Sequence, residues 1–317
     1  MKHVLAAVTL WLALAPAAAA EQSRPAEPKL AAAETAMTFA YRMLDRQFIG
    51  AQKSALEANQ RIWARERDAG CGDKSGPRRT ECLIEETEAR RRLLDGEGRN
   101  GLSEGPKLQP TFFHEAKPGR YEIAVAYPQV ANEHNFGDAT FSKIAHDLVL
   151  GDEGLMREYR GGAGEGSKGP AAHLVTYDLA YVGPRLATVI FRHISTGGGL
   201  PHPFTARQTL VFDFSLGRPL RPEDLLFEPA KAVGPIAGLC KERLEKQAAH
   251  DGWALQPKAD IPQVVNNFQA WAPGPFTLEI LFDAGTIAPA SAGAHECRID
   301  YAALLRWLMP GGPIPPK

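Results

Sequence analysis

From Met37 the apolar positions fall at Tyr41, Leu44, Phe48, Ala51, Ala55, Ala58 and Ile62, spaced by four and three. That spacing follows one face of a helix, so the stripe predicts a single long amphipathic helix. Arg, Gln, Glu, Lys and Asn occupy its other faces. Gly50 lies off the stripe, where an interior glycine costs ~1 kcal/mol relative to alanine and need not stop a helix. Such a stripe must be covered. Residues 79–94 offer a cover, with Cys82, Glu86, Ala89 and Leu93 on one face and Glu86 its discordant member. Between them, Gly70-Cys71-Gly72-Asp73-Lys74-Ser75-Gly76-Pro77 has the composition of a turn. The expectation is a helical hairpin over residues 31–94.

Residues 95–119 are broken by Gly96, Gly98, Gly101, Gly105, Pro106, Pro110, Pro118 and Gly119. This punctuation predicts a linker, with Phe112 and Phe113 docking on the next domain. From Tyr121 the period changes. Strict alternation over 121–127 reads as a strand, and further strands are expected at 173–182, 186–193, 208–214, 276–282 and 295–301. Helical spacing returns over 136–150, through Phe141, Ile144, Ala145 and Leu148, then over 229–250 and in a short closing segment at 302–308. Strands and helices do not alternate regularly, so residues 120–310 predict an antiparallel or mixed sheet with helices on one face. The whole chain reads as α+β.

The two ends and the cysteines add a compartment. Met1-Lys2-His3, an apolar run over 4–14 and Ala18-Ala19-Ala20 have the three parts of a cleavable secretory signal over residues 1–20. The run is too short for a spanning helix, which takes about 20 residues; an uncleaved anchor is the competing reading. No later stretch is long and apolar enough to span. A periplasmic or secreted protein is expected. Its four cysteines, Cys71, Cys82, Cys240 and Cys297, allow three pairings, and Cys71–Cys82 with Cys240–Cys297 keeps each bridge within one module. None belongs to a C-x-x-C pair, which weakens a zinc reading. With 36 basic and 37 acidic residues, net charge is −1, and no excess positive field favours nucleic acid.

Two stretches carry family resemblances. Gln60-Arg61-Ile62-Trp63-Ala64-Arg65-Glu66-Arg67-Asp68-Ala69-Gly70-Cys71, then Cys82 and a helix with Arg90, resembles the LprI-type lysozyme-inhibitor N-terminal domain over residues 34–94. Further on come Ser195-Thr196-Gly197-Gly198-Gly199-Leu200-Pro201-His202-Pro203, Leu210-Val211-Phe212-Asp213-Phe214, Gly217-Arg218-Pro219-Leu220 and Glu223-Asp224-Leu225-Leu226. With Gly293-Ala294-His295-Glu296 and Ile299-Asp300-Tyr301, they resemble the extracellular domain shared by the RsiV anti-sigma factor and PdaC-type peptidoglycan deacetylases. That family runs Gly-Gly-Ala-His-Pro where this chain has a longer loop. The first resemblance implies a lysozyme-type partner, and the RsiV ectodomain is known as a receptor for C-type lysozyme.

Candidate chemistry is sparse. Trp63 is expected to pack over the disulfide. Arg90-Arg91-Arg92 reads as a solvated face paired with Glu85, Glu86 and Glu88, with an anionic glycan as the alternative contact. His193, His202 and His295 match no standard metal spacing. Ser195 lacks a nucleophile elbow. Asp213 with Glu223 or Asp224 would need ~5–10 Å separation for glycoside hydrolysis, and each has a plainer reading in a strand or a first helical turn. The glycine-rich segment 161–171 lacks a phosphate-loop ending. No catalytic residue, metal or cofactor is assigned. The expectation is a non-catalytic binding protein for lysozyme, an endogenous muramidase or peptidoglycan, with Gly197, Gly198, Pro201, His202 and Pro203 as candidate contacts. A cell-wall enzyme or accessory protein is the alternative.

Overall fold

The stripe that begins at Met37 runs along two helices. α1 (Ala26–Gln47) ends before Phe48, and α2 (Gly50–Gly70) begins after Ile49, whose backbone is extended at φ −131° and ψ 160°. Gly50 has a φ of 55°, a left-handed conformation that glycine adopts without a Cβ clash. The glycine expected to be tolerated inside one helix is therefore the joint between two. The bend separates their duties: α1 packs along α3 (Gly76–Asp95), whereas α2 lies over β1 (Leu108–Lys117). The bridge Cys71–Cys82 ties the C-cap of α2 to the beginning of α3.

The computed structural model describes residues 26–72, 74–99, 105–151, 155–162, 169–200 and 203–314. The expected signal, residues 1–20, lies outside these, as do Pro201, His202 and residues 163–168 of the glycine-rich loop.

β1 falls inside the segment expected to be a linker. It forms a hairpin with β2 (Tyr121–Val130), in which Pro110 lies opposite Pro128. β1 is an edge strand, where a missing N–H need not break the ladder. The chain then crosses through α4 (Phe136–Leu150) and α5 (Leu155–Gly162) to β3 (Ala171–Val182), which pairs with β2 in parallel. Parallel neighbours require such a crossover, because the chain must return to the same end of the sheet. β4 (Leu186–Gly197), β5 (Phe204–Asp213) and β6 (Arg218–Pro219) follow antiparallel, giving a six-stranded mixed sheet in chain order.

Alternation sets the two faces. Tyr127 and Phe212 point toward α4, with His146 and Phe141 against them. Phe112 points the other way, toward Phe48 at the joint between α1 and α2 and toward Arg90 of α3. Each face thus has a helical cover, and Met37, Leu56, Ile62 and Leu93 share one core with Phe112, Ile123, Val175 and Phe191.

After the short α6 (Pro222–Leu225) come α7 (Pro229–Asp251) and α8 (Ile261–Asn266). The last strands form a separate antiparallel sheet of β7 (Trp271–Pro273), β8 (Thr277–Phe282) and β9 (His295–Asp300), closed by α9 (Tyr301–Leu304). The strands expected near 276–282 and 295–301 therefore do not extend the main sheet. Ile236, Cys240 and Leu244 of α7 pack on Leu278, Ile280 and Ile299, and Cys240–Cys297 links helix to sheet. Polar contacts dock this unit: Thr188 donates to the Pro273 carbonyl at 2.6 Å, and Thr209 to that of Gln269 at 2.9 Å.

Candidate functional site

Trp63, Arg67 and Arg90 form a knot beneath the N-terminal motif. Trp63 is 3% exposed, with the Arg67 and Arg90 guanidinium carbons 5.2 and 5.4 Å from its ring centroid. Arg90 is 2% exposed. Its Nε donates to Gln60 Oε1 at 2.9 Å and its Nη1 to Asn59 Oδ1 at 2.7 Å, while Arg67 reaches Thr87 Oγ1 at 3.2 Å. Among the described residues no carboxylate bonds Arg90, and burial pushes its pKa down to about 9. The solvated reading of Arg90-Arg91-Arg92 is corrected accordingly. A helix turns ~100° per residue, so neighbours in sequence meet different surroundings. Arg91 pairs at the surface with Asp95 and Glu97, and Arg92 is half-buried. Glu86, discordant in an apolar stripe, is bound by Arg192 of β4 through two contacts of 2.5 and 2.6 Å. Burial opposes ionisation of Glu86, yet Arg192 holds its carboxyl below the usual range.

At the loop end of the main sheet, β4 turns through Gly197, Gly198 and Gly199, with φ of 73°, 61° and 94°. A Cβ at position 197 would lie 2.3 Å from the Pro170 carbonyl oxygen, to which the Gly198 N–H donates at 3.1 Å. Glycine is thus required by backbone conformation and by close approach. The turn presents Leu200 and Phe204, 47% and 60% exposed. A groove of about 450 Å³ runs beside it, bounded by Arg65, Lys117, Tyr121, Pro170 and Gly197. A narrower cavity of about 190 Å³ reaches Pro203, Glu66, Lys74 and the Cys71–Cys82 bridge. Thr196 Oγ1 donates to Glu66 Oε1 at 3.3 Å, joining the loop to α2. The fold thus brings Gly197, Gly198 and Pro203 to the end of α2; Pro201 and His202 lie outside the described residues.

The histidines separate. His193 lies under α5, its Nδ1 3.2 Å from the Tyr159 hydroxyl. The Tyr159 ring stacks on His173 with centroids 4.1 Å apart, and His173 Nδ1 lies 2.9 Å from Ser195 Oγ. Burial lowers both imidazole pKa values to about 4. Cross-strand register created this Ser–His pair, which spacing along the chain did not reveal. A serine nucleophile also needs an orienting group on the far side of its base. His173 Nε2 has no hydrogen-bond partner among the described residues. His295 belongs to the second sheet and stacks on Trp253 at 3.9 Å.

Asp213 binds Arg185 at 2.7 Å and accepts from the Ser215 and Leu216 amides, so it organises a turn. Asp224 is held by Arg218 at 2.7 and 2.8 Å. Among the described residues, no group of three or more His, Cys, Asp or Glu could hold a metal ion. No helix there is long and apolar enough to cross a membrane. The two disulfides fit an oxidising compartment.

The family model described as lysozyme inhibitor LprI matches residues 14–94, ending with α3. None of the curated proteins matches the chain. Among solved structures, the chain resembles a member of the DUF3298 family from Bacteroides fragilis NCTC 9343. The identity is 13% and the TM-score 0.50, covering 66% of this chain and 96% of that one. A DUF3298 family protein from Pseudomonas aeruginosa PAO1 gives 16% and 0.49, covering 68% of this chain and all of the other. The likeness to the Bacteroides protein is one of fold alone.

Proposed function

We propose that this chain is an exported, non-catalytic binding protein whose target is a lysozyme-type muramidase. The match of its N-terminal helices to the lysozyme-inhibitor family carries this reading. The motif residues Trp63 and Arg90 are buried, so they act by holding the helices on the sheet, and contact with the target falls to surface groups. The loop-end surface supports that role. Leu200 and Phe204 expose apolar side chains, and the backbone beneath Leu200 is tied to Pro170. Apolar anchors beside a backbone already held by hydrogen bonds, as Gly198 is by Pro170, can enter a concave cleft with little further loss of entropy. Occlusion of the muramidase cleft by residues 196–204 is the proposed route, with Gly197, Gly198, Pro201, His202 and Pro203 as the proposed contact residues.

Calorimetric titration against a C-type lysozyme, with cell-wall lysis followed in parallel, tests the proposal. Micromolar or tighter binding, on the order of −8 kcal/mol, with loss of lysis supports inhibition. Binding with lysis intact points to a receptor-like role. Absence of heat and of inhibition sinks the muramidase reading. The Ser195–His173 contact motivates the rival, a cell-wall-processing protein, and turnover of peptidoglycan by the purified protein would establish it.

A further inference from the structure

A second cavity, of about 440 Å³, lies between α3, the β3–β4–β5 face and the second sheet. Arg90, Arg92, Arg99, Arg192, Arg207 and Arg298 all contribute to its lining. Four of these already hold carboxylates. Arg99 binds Asp178 and Glu279, Arg192 binds Glu86, Arg207 binds Asp283, and Arg298 binds Glu279 and Glu296. Arg90 and Arg92 hold none among the described residues. Arg90 Nη2 and Arg92 Nε are buried there without hydrogen-bond partners, and so is Asp178 Oδ1, an acceptor in the same lining.

Buried guanidinium N–H groups left unsatisfied carry the cost of their lost hydration. An anionic acceptor entering the cleft, with the half-buried Arg92 and Asp178 side chains turning toward it, would relieve that cost. The carboxylates already present restrict its charge, because a compact dianion would meet Glu86, Asp178 and Glu296 as well as the arginines. Asp178 Oδ1 calls for a donor on the same ligand, and the volume lies within the range of small-molecule sites.

We infer that this cleft binds a small organic carboxylate that also carries hydroxyl or amide donors. Arg92 anchors the carboxylate, Arg90 adds the buried charge behind it, and Asp178 accepts from the donor group. The surface is distinct from the 196–204 loop, so the inference stands whether or not a muramidase is the target.

The experiment is a titration of the purified protein with glucuronate and N-acetylmuramate, followed by calorimetry and by the fluorescence of Trp63, which also lines the cleft. Glucose and N-acetylglucosamine serve as the uncharged counterparts, and inorganic phosphate as the generic oxyanion. At least one carboxylate should bind with submillimolar affinity, and about tenfold or more tightly than its uncharged counterpart, as expected for a charge-assisted contact. Arg92→Gln should weaken that binding by about tenfold or more while leaving the melting temperature unchanged, since Arg92 holds no ion pair among the described residues. The assignment is overturned if neither carboxylate binds, if phosphate matches them, or if Arg92→Gln binds like the parent protein.

Discussion

Glu86 of α3 and Arg192 of β4 meet through two oxygen–nitrogen contacts of 2.5 and 2.6 Å, across the seam between the N-terminal helices and the sheet. The pair is half-buried and bidentate, a geometry that exceeds an ordinary surface bridge. Glu86→Gln should cost about 2 kcal/mol, read as a lower urea midpoint. A double-mutant cycle with Arg192→Met should return a favourable coupling energy. Additive single effects would remove the pair from the seam. The sign with pH is set by the lowered carboxyl. Its contribution is complete above the unfolded pKa and disappears as pH falls through the folded value, so the cycle energy should shrink in acid.

His173 and His193 should give a second acid-sensitive term. Burial lowers both to about 4, whereas a free imidazole titrates near ~6.5. Between those values the unfolded chain binds more protons than the folded one, so stability falls as pH drops from ~6.5 toward 4. His173→Gln and His193→Gln should flatten that part of the stability curve. Imidazole resonances titrating near neutrality in the folded protein would contradict the buried assignment.

The two bridges close loops of different length, with sequence separations of 11 and 57 residues. In the chain-entropy model the losses on removal are about 3 and 4 kcal/mol respectively. Paired serine substitutions at Cys240 and Cys297 should therefore lower the melting temperature more than those at Cys71 and Cys82. The reverse order would mean that strain or residual structure in the unfolded chain outweighs loop closure.

Arg90 and Arg91 are adjacent in sequence and opposite in consequence. Arg90→Ala empties a core position and leaves Asn59 and Gln60 without their donor, a loss of about 3 kcal/mol. Arg91→Ala should stay within ~0.5 kcal/mol, because its ion pairs are at the surface. Chemical denaturation of both variants reads the contrast directly, and similar midpoints would refute burial of Arg90.

These pairs show what the sequence could and could not carry. Alternation over 121–127 exposed β2, strand signals placed β3 to β5, and helical segments α4 and α7 were legible, although β2 to β4 are buried almost continuously because both sheet faces are covered. Cysteine placement gave both bridges. Arg90 was missed because a guanidinium becomes a core group only when Trp63, Asn59 and Gln60 arrive from another helix. The break at Gly50 was hidden by an apolar stripe that continues across it. β1 was masked by Pro110 within it, which an edge strand tolerates, and by Pro106 and Pro118 on its flanks. The separation into two sheets depends on long-range pairing that no window of residues contains. At the loop end, the Gly197 to Pro203 run was visible as a motif, whereas its junction with Glu66 and the Ser195–His173 contact came only from register.

Leu200 and Phe204 provide the sharpest separation between the two proposed surfaces. Both are exposed, so Leu200→Ser with Phe204→Ser removes little buried area and should leave stability within ~0.5 kcal/mol. If the 196–204 loop enters a muramidase cleft, the double variant should lose about tenfold or more in affinity for lysozyme. Carboxylate binding should remain, because neither residue lines the arginine cleft. Arg92→Gln should show the opposite pattern, with lysozyme binding retained and carboxylate binding weakened. Loss of both activities in either variant would mean that the surfaces are one coupled site. The Glu86–Arg192 pair, shared by the lining of the arginine cleft and of the cavity beneath the loop, would then be the physical link to test.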